Sequence, residues 1–331
     1  MNVVILRLIK RSVNIFDGLE AELHIPNAHI TIGTFDGVHI GHQKIINKLN
    51  ETARSNEGES VLFTFHPHPR LVLNPNAPVA LIQTKDEKLD KLARLGLNNV
   101  ILYPFSLAFS QTPAEQFIQD FLLDKLKMKA VVIGYDHQFG KNREGSLEHF
   151  QKLSAKHHFS VEEIPAQDID DINVSSTKIR NALGLGDIKT ANCYLGEPFQ
   201  LNGKVITGQS IGKTLNYPTA NIDLNEPNKI IPKTGVYLVR CTVNKNTYFG
   251  MMNIGHRPTI DQNQNSNVNI EIHIFDFKNN IYGCDLQVEL LDYVRDEQRF
   301  ESLSSLKEQL QKDELYCRSE CTRYSLKPYS L

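Results

Sequence analysis

Gly33-Thr34-Phe35-Asp36-Gly37-Val38-His39-Ile40-Gly41-His42 is the stretch on which the reading of this chain turns. It follows Ala28-His29-Ile30-Thr31-Ile32, an apolar run with the character of a buried parallel strand. It precedes Gln43-Lys44-Ile45-Ile46-Asn47-Lys48-Leu49, where apolar residues return at helical spacing. Strand, glycine-rich turn and helix is the geometry that seats a phosphate at a helix N-terminus. Gly37 and Gly41 let the backbone approach a nucleotide, and His39 and His42 can donate hydrogen bonds to phosphoryl oxygens. Such donors suit a reaction in which charge builds on an α-phosphate and a leaving pyrophosphate. The stretch is neither a P-loop nor the three-glycine dinucleotide fingerprint.

Outward from this turn, short apolar runs alternate with amphipathic segments. Val61 to Phe65, Asn99 to Tyr103 and Ala130 to Ile133 read as strands buried on both faces. Asp86 to Leu95, Pro113 to Leu126 and Leu147 to Lys156 read as helices between them. The pattern predicts a parallel sheet covered by helices on both sides, with ligands bound at the carboxyl ends of its strands. Three unusual sequences fall at such ends: the opening stretch, His66-Pro67-His68-Pro69-Arg70, and Gly134-Tyr135-Asp136-His137-Gln138-Phe139-Gly140. After about residue 187 strand-like segments follow one another, at Phe199–Ile206, Gly235–Val243, Tyr248–Ile254, Asn267–Phe275 and Asp285–Leu291. Turn residues between them predict an antiparallel barrel, closed by a helix from about Glu301 to Tyr316. The change of period divides the chain into domains 1–185 and 186–331.

A length of 331 residues agrees with two domains. With 22% charged residues and a formal net charge of −2, no polyanionic partner is indicated, so no nucleic acid is expected. Five scattered cysteines fit a reducing cytosol better than a disulfide framework, and Cys317 and Cys321 read as ordinary helix residues. No run approaches the roughly 20 apolar residues of a membrane span. The apolar N-terminus ends in basic residues, the reverse of a signal peptide. The expectation is a cytoplasmic protein without a membrane partner, and the sequence carries no signal for its oligomeric state.

Val174-Ser175-Ser176-Thr177-Lys178-Ile179-Arg180 is a second candidate anion site. Ser175 is placed to cap the helix that follows, and the hydroxyls with Lys178 and Arg180 make an anion cradle. Taken alone, such a cluster is more often a capped surface helix. Together with the histidine turn it reads as the other half of a nucleotide site. The histidine turn, Phe63-Thr64-Phe65-His66-Pro67-His68-Pro69-Arg70, the Gly134–Gly140 stretch and Ser175–Arg180, in that order, resemble the bacterial bifunctional riboflavin kinase/FAD synthetase family. The resemblance covers nearly the whole chain.

That resemblance implies a Rossmann-like nucleotidyltransferase α/β/α domain, followed by a flavokinase-like antiparallel β-barrel with a terminal helix. It implies FMN adenylyltransferase activity in 1–185 and riboflavin kinase activity in 186–331. ATP would be the substrate of both steps, with Mg²⁺ as cofactor and riboflavin, FMN and FAD as the flavin substrates and products. Residue by residue, His39 and His42 would contact the ATP phosphates and stabilise the transition state. Gly33, Phe35, Asp36 and Gly41 would shape the nucleotide site. Ser175, Thr177 and Arg180 would hold the pyrophosphate end, and Phe65 and Asp136, with Pro67 and Pro69, would line the flavin side. His66 is assigned no role, because the family often carries an acidic residue there.

Gly208-Gln209-Ser210-Ile211-Gly212-Lys213-Thr214-Leu215-Asn216-Tyr217-Pro218-Thr219-Ala220-Asn221 lies in the second domain. Two glycines and a lysine give a loop suited to covering phosphates. Thr219 and Asn221 present hard oxygens two residues apart on one side of an extended segment, as Mg²⁺ prefers. As a bare pattern this is an ordinary turn. By resemblance Gly212 and Lys213 cover ATP, and Thr219 and Asn221 are metal and ATP ligands. Lys213 replaces the usual arginine, losing its bidentate fork, and Asn216 replaces the usual glycine, where asparagine tolerates left-handed backbone. Glu271 matches the catalytic base for the ribityl hydroxyl, and Arg295 a flavin-side arginine. His273, on the same strand face as Glu271, reads as a structural hydrogen bonder.

Two other readings compete with this one. His-Ile-Gly-His also occurs in adenylating enzymes of the aminoacyl-tRNA synthetase type, but the chain has neither Lys-Met-Ser-Lys-Ser nor a broadly basic composition. A flavin- or nucleotide-binding regulator would have no need of a base at Glu271.

Overall fold

The computed structural model describes residues 13–19, 23–77, 79–135, 137–165, 174–208, 215–256 and 268–325. The chain forms two compact units, 1–174 and 175–331.

In the first unit, strands β1 (Asn14–Asp17), β2 (His29–Ile32), β3 (Ser60–Phe65), β4 (Asn99–Tyr103), β5 (Ala130–Gly134) and β6 (Ser160–Ile164) make one sheet. The order is β1-β4-β3-β2-β5-β6, and every pairing is parallel. The central strands are apolar on successive residues because both faces are covered. On one face α1 (Ile40–Ser55) and α3 (Lys85–Arg94) set Ile46, Leu49, Leu89 and Leu92 against Leu62, Val100 and Val132. On the other, Phe117, Leu122 and Phe150 pack on Ile30, Phe63 and Val131. Short helix α2 (Pro69–Leu73) follows β3, and α5 (Leu147–His157) precedes β6.

Two strands of this sheet escaped the sequence reading. β1 and β6 are edge strands whose residues are mostly exposed or half-buried, so neither shows the apolar run that marked the centre. The helix expected over Pro113–Leu126 begins as α4 (Ala114–Phe117) and continues as a π-helical stretch, Ile118–Lys125.

The order has a consequence for function. From β2 the chain adds β3 and then β4 on one side, whereas β5 and β6 lie on the other. The sheet therefore reverses between β2 and β5, where the connections leave a crevice beyond the carboxyl ends. Residues 33–42 emerge from β2 at this point, and the segment after Gly134 emerges from β5.

The second unit opens with α6 (Ser176–Leu185) and α7 (Ile188–Leu195). A closed antiparallel barrel follows, from β7 (Phe199–Ile206), β8 (Ala220–Asp223), β9 (Gly235–Val243), β10 (Asn246–His256), β11 (Val268–Ile274) and β12 (Asp285–Arg295). Its order is β10-β11-β8-β7-β12-β9, and closure leaves no free sheet edge. The units divide before α6, whereas the change of period had suggested a boundary between α6 and α7. Helix α6 is tied to the barrel: the Lys233 N–H donates to the Leu183 carbonyl at 3.0 Å. In α7, Asn192 donates to the Leu290 carbonyl at 2.8 Å and accepts from the Phe199 N–H at 2.7 Å.

The terminal helix α8 runs from Leu303 to Ser325, longer than the sequence suggested. Leu306, Leu310 and the buried Cys317 pack with Leu215, Tyr217, Met251 and Phe275. Arg318, which had no assigned role, pairs with Asp276 at 2.9 Å and Glu314 at 2.8 Å. Its guanidinium also lies 4.6 Å from the centre of the Phe275 ring.

Candidate active sites

At the carboxyl end of β2 the turn into α1 is tightly wound. Phe35 and Val38 adopt φ values of +48° and +38°. For a β-branched residue such a φ is strained, and here Val38 is fully buried. His39 caps α1, its Nδ1 accepting from the His42 N–H at 3.4 Å. A nitrogen that accepts carries no proton, so His39 is protonated at Nε2. The two imidazoles stack with centroids 3.7 Å apart, and Phe35 stacks on His42 at 4.5 Å. A Cβ on Gly41 would stand 3.3 Å from His39 Nδ1, so glycine lets that ring lie close to the helix.

Both imidazoles are held neutral. Burial, assisted by the Lys91 charge, pulls His39 down to about 4. Burial again, then the neighbouring His39 ring and the charges of Lys91 and Lys88, pulls His42 well below the ordinary histidine range. Nδ1 of His42 is buried without a hydrogen-bond partner in the structure.

Asp36 faces inward. Its carboxylate accepts from the Ile82 N–H at 3.0 Å and the Gln83 N–H at 3.4 Å. It thereby anchors the chain entering α3, whose start is fixed by a capping box between Thr84 and Glu87. Gly33 donates its N–H to the Phe63 carbonyl at 3.0 Å, tying the turn to β3. Beyond β3, Phe65 joins an aromatic cluster with Phe105 and Phe109, at 5.5 and 5.8 Å. His68 caps α2 by accepting from the Arg70 N–H at 3.1 Å, with Pro69 in the first helical turn. Asp136 lies outside the described residues. Lys88 and Lys91 escaped the sequence reading, because Lys85-Asp86-Glu87-Lys88-Leu89-Asp90-Lys91 has the look of a solvated helix face. Lys91 is 2% exposed.

In the second unit, Ser175 caps α6 as expected, accepting from the Lys178 N–H at 3.3 Å. Thr177 is exposed and Arg180 half-buried on the first turns of the same helix.

The barrel holds a cavity of about 290 Å³. Its polar wall is a row across three strands, in which Asn253 on β10 and Asn221 on β8 both pair in register with Glu271 on β11. Directly opposed residues share a face, and all three line the cavity. Glu271 accepts from the Thr219 hydroxyl at 3.3 Å and from the Asn269 amide. Asn221 is 4% exposed, and its Oδ1 has no hydrogen-bond partner in the structure. The other walls are mostly apolar, including Leu215, Tyr217, Met251, Phe300 and Leu306.

Arg295 lines the same cavity. Nε and Nη2 donate to the buried Asp313 carboxylate of α8 at 2.9 and 2.7 Å. Gln309 donates to that carboxylate too, at 2.8 Å. Asn253 and Asp313 were not singled out in sequence, since one asparagine in a strand and one aspartate in a charged helix carry no signal. His273 Nδ1 donates to the Pro218 carbonyl at 2.9 Å, a structural bond that fixes the segment leading to Thr219. Asn216 sits at φ +64°, the left-handed conformation expected where the family usually has glycine. Gly212 and Lys213 lie outside the described residues.

A parallel-sheet unit with a histidine turn at its switch point, followed by a closed barrel with a carboxylate-lined cavity, defines a two-domain nucleotide-using enzyme. Residues 22–178 match the FAD synthetase family and residues 195–320 the riboflavin kinase family. The Bacillus subtilis (strain 168) bifunctional riboflavin kinase/FMN adenylyltransferase is 35% identical over 89% of this chain and 92% of its own. The Escherichia coli (strain K12) protein of the same name is 35% identical over 87% and 91%. A Streptococcus pneumoniae chain solved as a macrolide-efflux protein superposes with a TM-score of 0.80 at 31% identity, over 90% of this chain and 99% of that one. Among the described residues here, no helix is long and apolar enough to cross a membrane. The chain belongs to the bifunctional riboflavin kinase/FMN adenylyltransferase family.

Proposed function

We propose that the barrel cavity phosphorylates riboflavin to FMN, and that the crevice beyond β2 and β5 adenylylates FMN to FAD. The chain is a riboflavin kinase and an FMN adenylyltransferase by family; what is proposed is which residues perform each step. The observation that carries the kinase assignment is the row Asn253, Glu271, Asn221 along one wall of an otherwise mostly apolar cavity.

The cavity's apolar walls suit a flat ring system, and its polar wall suits the hydroxylated chain such a ring carries. Glu271 accepts the proton of the terminal ribityl hydroxyl as that oxygen attacks the γ-phosphate of ATP. Thr219 and Asn269 orient the carboxylate through their hydrogen bonds. Arg295, held by Asp313, borders the flavin end. The orphan Oδ1 of Asn221 and the Thr219 hydroxyl are hard oxygens of the kind that fits Mg²⁺. Bound there, Mg²⁺ would supply positive charge to the β- and γ-phosphates of ATP.

In the first unit, neutral His39 and His42 act as ring N–H donors to phosphoryl oxygens as the FMN phosphate displaces pyrophosphate. Catalysis by donors placed in advance requires no covalent enzyme intermediate. Asp36 supports this turn from behind by anchoring the entry to α3. Phe65 and its aromatic neighbours, with Pro67 and Pro69, border the flavin. A cytoplasmic location belongs to this reading, since five free thiols suit a reducing compartment.

Incubation with riboflavin, ATP and Mg²⁺, with flavins and pyrophosphate resolved over time, should show FMN appearing first, then FAD with pyrophosphate. Absence of both flavin products overturns the reading. His42→Ala should accumulate FMN, and Glu271→Ala should still convert supplied FMN to FAD. Loss of both steps in either folded variant overturns the assignment of separate sites.

A further inference from the structure

We propose that Glu314 and Arg318, in the second half of α8, are positioning residues for the kinase step. Through the Tyr217 hydroxyl they hold the segment that presents Thr219 and Asn221 to ATP and its metal. The inference rests on the kinase site proposed above.

The pairing of β8 with β11 covers Ala220 and Asn221 and stops short of Thr219. Leu215, Tyr217, Thr219 and Asn221 nevertheless line the cavity at every second residue, the spacing of one face of an extended segment. Where the ladder ends, side chains hold this segment. The Tyr217 hydroxyl donates to the Glu314 carboxylate at 2.9 Å. Burial, with that hydrogen bond adding to it, pushes the Tyr217 phenol up to about 12, so it keeps its proton at neutral pH. His273 donates to the Pro218 carbonyl at 2.9 Å, and its ring meets the Tyr217 ring at an angle, with centroids 5.1 Å apart.

Glu314 is itself held. Arg318, one turn further along α8, donates from Nε to Glu314 at 2.8 Å. Its Nη1 and Nη2 donate to the two carboxylate oxygens of Asp276 at 2.9 and 3.1 Å. The guanidinium lies over the Phe275 ring, 4.6 Å from its centre. A guanidinium held by a bidentate pair and a ring face has little freedom, so the carboxylate it holds is a fixed acceptor. Phe275 and Asp276 directly follow β11, the strand of Glu271. The network therefore runs from the strand of the base, through α8, to the segment of the metal ligands. Among the described residues, the cavity lining includes Tyr217 but not Glu314, Arg318 or Asp276. The two α8 residues can thus bear on the reaction through Tyr217 without touching a substrate.

The test follows FMN formation from riboflavin in the full chain against Mg²⁺ concentration at fixed ATP. The variants are Tyr217→Phe, Glu314→Leu, Glu314→Gln, the double variant Tyr217→Phe with Glu314→Leu, and Thr219→Ala. Tyr217→Phe keeps the ring and removes the donor; Glu314→Leu removes the acceptor. Each should raise the Mg²⁺ concentration for half-maximal rate by roughly tenfold, as loss of a group that orients a ligand does. The KM for riboflavin should change little, which reports in the same samples that the barrel is folded. Glu314→Gln, which keeps an acceptor, should retain most of the wild-type response. The double variant should be no worse than either single one, because both break the same bond. Without ligands, amide hydrogen exchange across residues 215–221 should quicken in Tyr217→Phe and Glu314→Leu, with exchange in β11 unchanged. If Glu314→Leu does not fold, Tyr217→Phe and Glu314→Gln carry the comparison.

A wild-type Mg²⁺ requirement and wild-type exchange in Tyr217→Phe overturn the inference, while loss of FMN formation in Thr219→Ala leaves the kinase site standing. Additive effects in the double variant, or equal rises in Mg²⁺ requirement and riboflavin KM, also overturn it, since Glu314 would then only pack α8 on the barrel. Undiminished FMN formation in Thr219→Ala overturns both readings.

Discussion

His39 caps the helix that carries His42, and the imidazoles of the two residues stack with centroids 3.7 Å apart. One ring therefore sets the position of the other. The cap bond occupies His39 Nδ1 and leaves its proton on Nε2.

The first expectation concerns protonation. In the folded chain His39 titrates near 4 and His42 well below the ordinary range, whereas in the unfolded chain both titrate near 6.5. As pH falls from about 6.5 towards 4, the unfolded state takes up protons that the folded state refuses, so these groups lower stability. Their stabilising effect is complete above the unfolded value. NMR titration of the ring C–H signals should show no histidine transition near 6.5 at these two positions. Denaturant midpoints should fall across the same window, and less so in His39→Gln.

Glu271→Gln keeps the size of the side chain and removes its basicity. Riboflavin phosphorylation should fall by roughly two to four orders of magnitude, with FMN to FAD conversion unchanged. Chromatography of the flavins from both starting substrates checks this directly.

Gly208 lies against Asn221, and a Cβ there would fall 2.0 Å from the Asn221 amide nitrogen. Gly208→Ala should displace that side chain and its orphan Oδ1. FMN formation should drop by roughly tenfold or more with an increased Mg²⁺ requirement, because a displaced ligand weakens ion binding. Isothermal titration with Mg²⁺ and a nonhydrolysable ATP analogue measures the loss.

Asp313→Ala strands Arg295 beside the cavity without its carboxylate. Removing one member of a largely buried pair should destabilise the folded state by about 3 kcal/mol. The KM for riboflavin should rise while FMN to FAD conversion persists. Chemical denaturation and kinase kinetics on the same variant separate the two effects.

Asp36→Ala leaves the Ile82 and Gln83 N–H groups without their acceptor, at a cost of roughly 2 kcal/mol. FAD formation should fall and FMN formation should not. A variant in which both fell equally would mean that Asp36 supports more than its own turn.

The sequence by itself determined the sheet core, because Val61-Leu62-Phe63 and Val131-Val132-Ile133 could be apolar on successive residues only where both faces are covered. It determined the barrel through alternation, as in Asn269-Ile270-Glu271-Ile272-His273, and it named the histidine turn and the Thr219–Asn221 pair. Edge strands β1 and β6, having too few neighbours to demand apolar residues, were decided only by tertiary pairing. So were the partners of the named residues. The resemblance puts Asp36 among the residues that shape the nucleotide site, and only the fold shows its carboxylate accepting from the backbone at Ile82, 46 positions away. Lys88 and Lys91 looked like solvent-facing charge, yet the packing of α3 on the sheet sets Lys88 Nζ on the Thr34 carbonyl and leaves Lys91 2% exposed. Asn253 stands beside Glu271 only because β10 pairs with β11 in one particular register. Local sequence carries propensity and periodicity, which act over a few residues. Burial, electrostatic neighbours and cross-strand register arise between distant segments, and they decide what each side chain of the two sites can do.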